Sequence, residues 1–339
     1  MLRWGIVGTS FISDSMARAI AASPGSVATC VVGRDSGRLE AFQRRHNIAV
    51  GTTSLTEAFA QADVDVVYVG TPNHVHHEAT IVAAQAGKAV LSEKSLTVSM
   101  EQTDALLAAV RDTVFFVEGL MYLAHPLIAR FVDVIQDGRL GELKSVHASY
   151  AANIAHLVNP AGRGAIYNLG CYPASLLQLV VDTVLGDGAF TNHHVAAWGT
   201  VSPVDGNICE SAASVRFASG LVALVYTAET YGSASSFEVH GTLGTLSFVS
   251  NPWLPQRGDN SFVWTSFEGG SETFVVNDSL DAFDYQVRMI ELNLAAGRTQ
   301  AQRPSPRLDD SRAVMRFLTG WERASVQSSA SAVSAPGTA

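Results

Sequence analysis

Within its first thirteen residues the chain leaves a short apolar run, turns on a glycine and opens a helix-like segment: Gly5-Ile6-Val7-Gly8-Thr9-Ser10-Phe11-Ile12-Ser13. A strand that turns this tightly into a helix lets small residues bring backbone N–H groups and a helix dipole up to a pyrophosphate. Gly8 takes the first position of the dinucleotide fingerprint, but Ser10 and Ser13 stand where further glycine or alanine is usual, so the motif is degenerate. Alone it fits a dinucleotide site or a plain βα turn.

The continuation narrows the fold. Strand-like runs near 2–8, 27–33, 65–70, 88–91 and 114–118 alternate with helical periods near 11–23, 36–45, 53–61, 75–86 and 99–111. That rhythm predicts an α/β, doubly wound Rossmann domain with a parallel sheet over 1–120. The run Val66-Val67-Tyr68-Val69 is apolar on both faces, as a central parallel strand requires. From about residue 143 longer alternating segments (143–152, 189–200, 208–217, 220–228, 235–240, 243–249, 261–276) imply a large open, mostly antiparallel sheet. Helical periods near 124–137, 170–183, 280–297 and 308–324 accompany it. The expected organisation is therefore a second, α+β domain over 121–324, whose terminal helices can pack back on the first, and a flexible tail over 325–339.

Composition restricts function. A net charge of -9 argues against a protein that neutralises nucleic-acid phosphates. No stretch of about 18 apolar residues is present to span a membrane, and Met1 leads directly into the glycine-punctuated run with no room for a secretory signal. A cytoplasmic protein is expected. Cys30, Cys171 and Cys209 lack any short pair spacing, which favours reduced, buried thiols.

The end of the second strand bears on which dinucleotide binds. It reads Val32-Gly33-Arg34-Asp35-Ser36, and Arg34, with Arg38 beyond it, suits a ribose 2′-phosphate, so NADP(H) is favoured over NAD(H). The competing reading has Asp35 capping the next helix and Arg34 stacking on adenine. Three further clusters follow: Thr71-Pro72-Asn73-His74-Val75-His76-His77-Glu78, then Ser92-Glu93-Lys94-Ser95, and later Gly164-Ala165-Ile166-Tyr167-Asn168-Leu169-Gly170-Cys171-Tyr172-Pro173.

Together with the fingerprint, these clusters resemble the Gfo/Idh/MocA oxidoreductases, in particular the glucose-fructose oxidoreductase and dihydrodiol dehydrogenase branch. The resemblance spans essentially the whole chain. It implies hydride exchange with a carbinol or ketone carbon of a sugar, inositol or related diol. It places the family's Glu-Lys-Pro motif on Glu93, Lys94 and Ser95, and the last position of its Asp-x-Gly-x-His signature, often tyrosine, on Tyr172. Lys94 would polarise the reacting oxygen from the carboxyl edge of the sheet, and Tyr172, with its pKa lowered by that cation, would exchange the proton. Asn168 would orient a neighbouring hydroxyl. His156 and Arg163 would reach the substrate from the preceding loop. Gly8, Thr9, Ser10, Phe11, Ile12, Gly33, Arg34, Arg38, Thr71, Pro72, Asn73, His76, Glu93 and Lys94 form the implied cofactor set, and a homodimer or homotetramer through residues 189–249 is the implied assembly.

Two departures from the family pattern stand out. Asn168 replaces the signature aspartate and cannot carry charge or take a proton, and Ser95 replaces the proline after the lysine. They either retune the site or abolish activity, which keeps two alternatives open: a catalytically silent NADP-binding sensor, and a nicotinamide-dependent glycosidase. His74, His76 and His77 lack a completing carboxylate or cysteine set, so no metal is expected there. His193 and His194 are read as a pair on one sheet face.

Overall fold

The computed structural model describes residues 1–61 and 63–334, with the side chains of Gln61 and of 330–334 excepted. Two compact units divide the chain, Met1–His125 with Leu280–Arg312, and Pro126–Ser279 with the chain from Ala313 onward.

In the first unit β1 (Leu2–Val7), β2 (Ser26–Val32), β3 (Val50–Thr52), β4 (Val66–Val69), β5 (Ala89–Glu93) and β6 (Phe116–Gly119) form a sheet of order β3-β2-β1-β4-β5-β6. Every pairing in it is parallel. The order reverses between β1 and β4, the switch point at which doubly wound sheets bind ligands at their carboxyl ends. The crossovers carry α1 (Phe11–Ala22), α2 (Ser36–His46), α3 (Leu55–Gln61), α4 (His76–Gln85) and α5 (Met100–Val110). Side chains set several helix starts: Ser10 accepts the Ser13 N–H, Asp35 the Arg38 N–H and Ser99 the Gln102 N–H. β3, only three residues long, has no counterpart among the expected strands, because three residues carry no readable alternation.

The second unit contains α6 (Pro126–Gln136), β7 (Leu143–Ala151), α7 (Ala165–Asn168), α8 (Cys171–Leu185), β8 (His193–Val201), β9 (Ile208–Phe217), β10 (Val222–Ala228), β11 (Ser236–Gly241), β12 (Gly244–Phe248), β13 (Gly258–Ser266) and β14 (Ser271–Asp278). Its sheet has the order β14-β13-β12-β11-β7-β10-β9-β8, antiparallel except where β10 pairs with β7. One face is closed by α8, buried from Cys171 through Asp182. The segment 261–276, expected as one strand, is a hairpin: the Gly269-Gly270 turn reverses the chain between β13 and β14.

Two boundaries differ from expectation. Residues 280–312, assigned by sequence to the second domain with the allowance that its terminal helices can pack back on the first, join the first unit. There α9 (Ala282–Ala295), opened by a reciprocal Asp281/Asp284 capping box, sinks Val287 and Ile290 into the core formed by Trp4, Ile6, Met16 and Ile20. Glu291 accepts hydrogen bonds from Ser23 (2.6 Å) and Ser26 (2.5 Å), and Gln300 pairs with Phe116, covering the free edge of β6.

The second difference is the tail. The last helix, α10 (Leu308–Ser334), continues through 325–334 where a flexible segment was expected, while 335–339 lie outside the described residues. Ser325 and Ser329 are small enough to approach β8 closely. A Cβ on Gly199 would lie 2.8 Å from that of Ser325, the Ser325 and Ser211 hydroxyls are 2.8 Å apart, and Ser329 donates to the Gly199 carbonyl at 2.6 Å. His193 and His194 also depart from the single-face reading, since neighbours in a strand point oppositely: His193 packs among Phe190, Phe217 and Phe317, and His194 is exposed.

Replacing Ser325 with Leu should therefore overpack this contact and lower stability by about 1–3 kcal/mol. Urea unfolding of S325L against the parent checks it, and an unchanged midpoint would contradict the docking of this segment.

Candidate active site

In the first unit the chain turns from β1 into α1 at Gly8, whose φ of 109° disfavours any other L-residue. A Cβ there would stand 2.7 Å from the Gly70 carbonyl oxygen, so the ends of β1 and β4 close together only on glycine. Ser10, the cap of α1, donates from its hydroxyl to the same carbonyl at 3.1 Å. Thr9 lies against Gly33, whose Cβ would come within 3.0 Å of the Thr9 methyl. Phe11 is exposed and Ile12 half-buried. Beyond β2, Arg34 and Arg38 are both exposed, while the Asp35 carboxylate receives the Arg38 N–H at 2.8 Å. Thr71, Pro72 and Asn73 line the turn after β4 half-buried, and the Thr71 hydroxyl oxygen is buried without a hydrogen-bond partner.

Lys94 follows β5 directly and is half-buried at the carboxyl edge of the sheet. The loop that carries it is gripped from three sides. Glu93, buried, accepts the Tyr68 hydroxyl at 3.0 Å and the Lys94 N–H at 3.3 Å. His76, fully buried, places Nδ1 2.9 Å from the Ser95 carbonyl oxygen and Nε2 2.6 Å from that of Thr71. Glu118, on β6, accepts the Leu96 N–H at 2.9 Å. The Lys94–Ser95 peptide bond is cis. His76 and Glu93, both named in the implied cofactor set, thus also brace the backbone on either side of Lys94.

Burial dominates the electrostatics here. It raises the Glu93 carboxyl, against the opposing pull of the Lys94 cation and the Tyr68 hydroxyl, and pushes Glu118 up to about 7. It drives His76 down to about 4 despite the carbonyls facing its ring, so the imidazole is neutral at neutral pH and donates through one nitrogen only.

In the second unit Asn168 ends α7 and Tyr172 lies in the first turn of α8, both buried. The Asn168 amide donates to Glu229 at 2.7 Å. Glu229 is itself buried, with its carboxyl raised by desolvation and lowered in part by Asn168. Its backbone is pinned as well, since its carbonyl accepts the Ile154 and Ala155 N–H groups, both at 2.9 Å. Tyr172 stands edge-on to Tyr150, with ring centres 5.1 Å apart, and 6.4 Å from Trp253. Burial pushes Tyr150 up to about 12. Glu229, Tyr150 and Trp253 were not singled out in the sequence, where nothing in their spacing links them to 168–172. His156 is exposed in the loop after β7. Arg163, expected to reach substrate, is paired with Glu322 at 2.8 Å and lies over the Tyr167 ring at 5.6 Å.

Residues 2–117 match the family model of the oxidoreductases with an NAD-binding Rossmann fold, and 128–247 match the GFO/IDH/MocA C-terminal domain. The chain belongs to the Gfo/Idh/MocA oxidoreductase family. Among its Gfo/Idh/MocA relatives, the 1,5-anhydro-D-fructose reductase of Ensifer adhaerens is 31% identical over 282 residues, covering 80% of this chain and 82% of that protein. Human trans-1,2-dihydrobenzene-1,2-diol dehydrogenase is 26% identical over 270 residues, 75% of this chain and 76% of its own length. In fold, a 3-ketoreductase from Actinomadura kijaniata superposes with a TM-score of 0.83 at 22% identity, covering 95% and 97% of the two chains. A levoglucosan dehydrogenase does so at 0.79 and 20%, covering 96% and 98%. These relatives are reductases and dehydrogenases, not the sensor or glycosidase weighed from sequence, and the chain is an NAD(P)-dependent oxidoreductase. No described helix is long and apolar enough to cross a membrane.

The raised Glu118 carboxyl has a checkable consequence. With a folded pKa of about 7 against an ordinary value of 4.5, the native state binds the extra proton between those values. This group's contribution is thus full below about 4.5 and lost as pH rises through 7. Glu118→Gln keeps an acceptor for the Leu96 N–H and removes the titration. Its melting temperature should gain on the parent's as pH rises from 5 to 8, and a gap that stays constant would contradict the assignment.

Proposed function

We propose that the protein uses NADP(H) to exchange a hydride with a CH–OH or C=O carbon of a sugar, inositol or related diol. The observation that carries this reading is Lys94 at the carboxyl edge of the parallel sheet, with three buried side chains committed to the backbone that holds it. A scaffold of that cost suits an ammonium that must meet charge developing on a substrate oxygen. When bound, the nicotinamide supplies or accepts the hydride.

The first-unit residues suit such a dinucleotide. Gly8 leaves the turn bare of a side chain, and the first N–H groups of α1 have no intrahelical partner and can receive a pyrophosphate. The Thr71 hydroxyl is a buried polar group in want of a partner. Support for NADP(H) over NAD(H) comes from exposed Arg34 and Arg38 at the end of β2, beside an Asp35 occupied in capping α2. Among the relatives in fold, the ketoreductase was crystallised with NADP and the levoglucosan dehydrogenase with NADH.

In this reading Lys94 polarises the reacting oxygen, Tyr172 moves its proton, and Asn168, held by Glu229, orients a neighbouring hydroxyl. Tyr150 and Trp253 pack around the Tyr172 ring and fix its orientation. His156 and Arg163 are lesser substrate contacts, Arg163 only if it leaves Glu322. The solvent face of the second sheet, which exposes Trp198 and Leu224, is the proposed surface for a homodimer or homotetramer.

Steady-state kinetics with a panel of sugars, inositols and diols tests the chemistry. K94M and Y172F should each lower kcat by about 10²–10⁴-fold, the range of a lost acid/base group, with NADPH binding retained. Activity within a few-fold of the parent in both would sink the proposal. Fluorescence titration tests the cofactor: R34A should weaken NADPH by about 10–100-fold, as for a lost hydrogen bond to a charged group, and leave NADH nearly unchanged. Equal losses for both would remove the basis for preferring NADP(H).

A further inference from the structure

Strand pairing in the second unit assembles a cluster unconnected with the residues discussed so far. In the register of β7 with β11, Glu238 sits opposite His147 and His240 opposite Ser145. Glu238 and His240 are two residues apart on one strand and so share a face, and the cross-strand register puts His147 beside them. One donor atom from each of the three residues can be chosen so that all lie within 4.8 Å of one another. The imidazoles of His147 and His240 are 4.6 Å apart between ring centres.

We propose that His147, Glu238 and His240 form a binding site for a divalent transition-metal ion of the zinc class. Two imidazoles and one carboxylate make a donor set suited to zinc, with a fourth position left for water. Spacing supports an ion rather than a hydrogen-bonded cluster. His240 Nε2 and Glu238 Oε2 are 3.6 Å apart, too far for a hydrogen bond. Donors bound at about 2.0–2.1 Å around a tetrahedral ion stand roughly 3.3–3.4 Å from one another, so this pair is already close to the separation an ion sets, with His147 to be drawn in from within 4.8 Å. His240 Nε2 is moreover buried without a hydrogen-bond partner, a vacancy that an ion would fill.

All three side chains are partly buried. The other histidine group, around His74 and His77, also leaves ring nitrogens buried without partners, but no third donor joins it among the described residues. The ligand set rests on geometry within the second unit alone. It stands or falls independently of the hydride-transfer reading and of any self-association through this face.

The test uses the full chain, stripped with EDTA and titrated with zinc chloride by calorimetry, together with anomalous scattering from crystals of the parent grown with zinc. The parent should bind zinc saturably, with an anomalous peak between His147, Glu238 and His240. The H147Q/H240Q double variant should lose more than about 100-fold in affinity, beyond the 10–100-fold that follows loss of an outer-shell partner. His194→Ala, at an exposed histidine outside the cluster, should bind as the parent does. No zinc binding by the parent, a peak elsewhere, or undiminished affinity in the double variant each overturns the proposal, and the crystallographic arm does so without relying on any variant folding.

Discussion

The Leu96 N–H buried against Glu118 is the interaction on which the first unit's site depends, because it fixes the far end of a short loop whose near end is the last residue of β5. Between those anchors lie Lys94 and Ser95, and His76 reaches Ser95 from α4. Keeping Glu93 and Glu118 out of water is unfavourable for both carboxyls, which burial pushes upward. That cost is offset by backbone and hydroxyl hydrogen bonds and by the neighbouring ammonium. The arrangement spends stability on the placement of one side chain, as functional sites commonly do.

In the second unit the same logic runs through Asn168 and Glu229. The amide that stands in place of the family's aspartate is not an isolated loss of charge, since its nitrogen donates to a buried carboxylate brought in by the end of β10. A carboxyl group is thus retained within one hydrogen bond of the signature position. An aspartate at 168 would place two carboxylates in contact, with one of them forced to hold a proton. Asparagine and Glu229 therefore belong together.

The architecture was legible in the sequence because it is written in local periods. Apolar four-residue runs, caps such as Ser10, Asp35 and Ser99, and a glycine at the first turn each act within one element, and both sheets follow from them. What escaped notice depends on approach between distant segments. The helical end of the chain carries Ser and Ala without an apolar stripe, and only the bare backbone of Gly199 explains why it docks. Val287 and Ile290 look the same in sequence whichever core they enter. Site residues divide in the same way. Lys94, Asn168 and Tyr172 lie in motifs, whereas Glu229, and the grouping of His147 with His240, exist only through strand pairing that no spacing encodes. His76 and Arg163 were visible, but what they hold on to was not.

The central claim is that Lys94 serves a direct hydride exchange at the carboxyl edge of the parallel sheet. Isotope transfer tests it most directly: the protein is supplied with NADPH stereospecifically deuterated at the nicotinamide C4 and with a keto-sugar it reduces, and the product is weighed by mass spectrometry. The account predicts that one of the two C4-deuterated forms delivers its deuterium to the new carbinol carbon and the other delivers none. Deuterium appearing in solvent, or a product unlabelled from both forms, would contradict it.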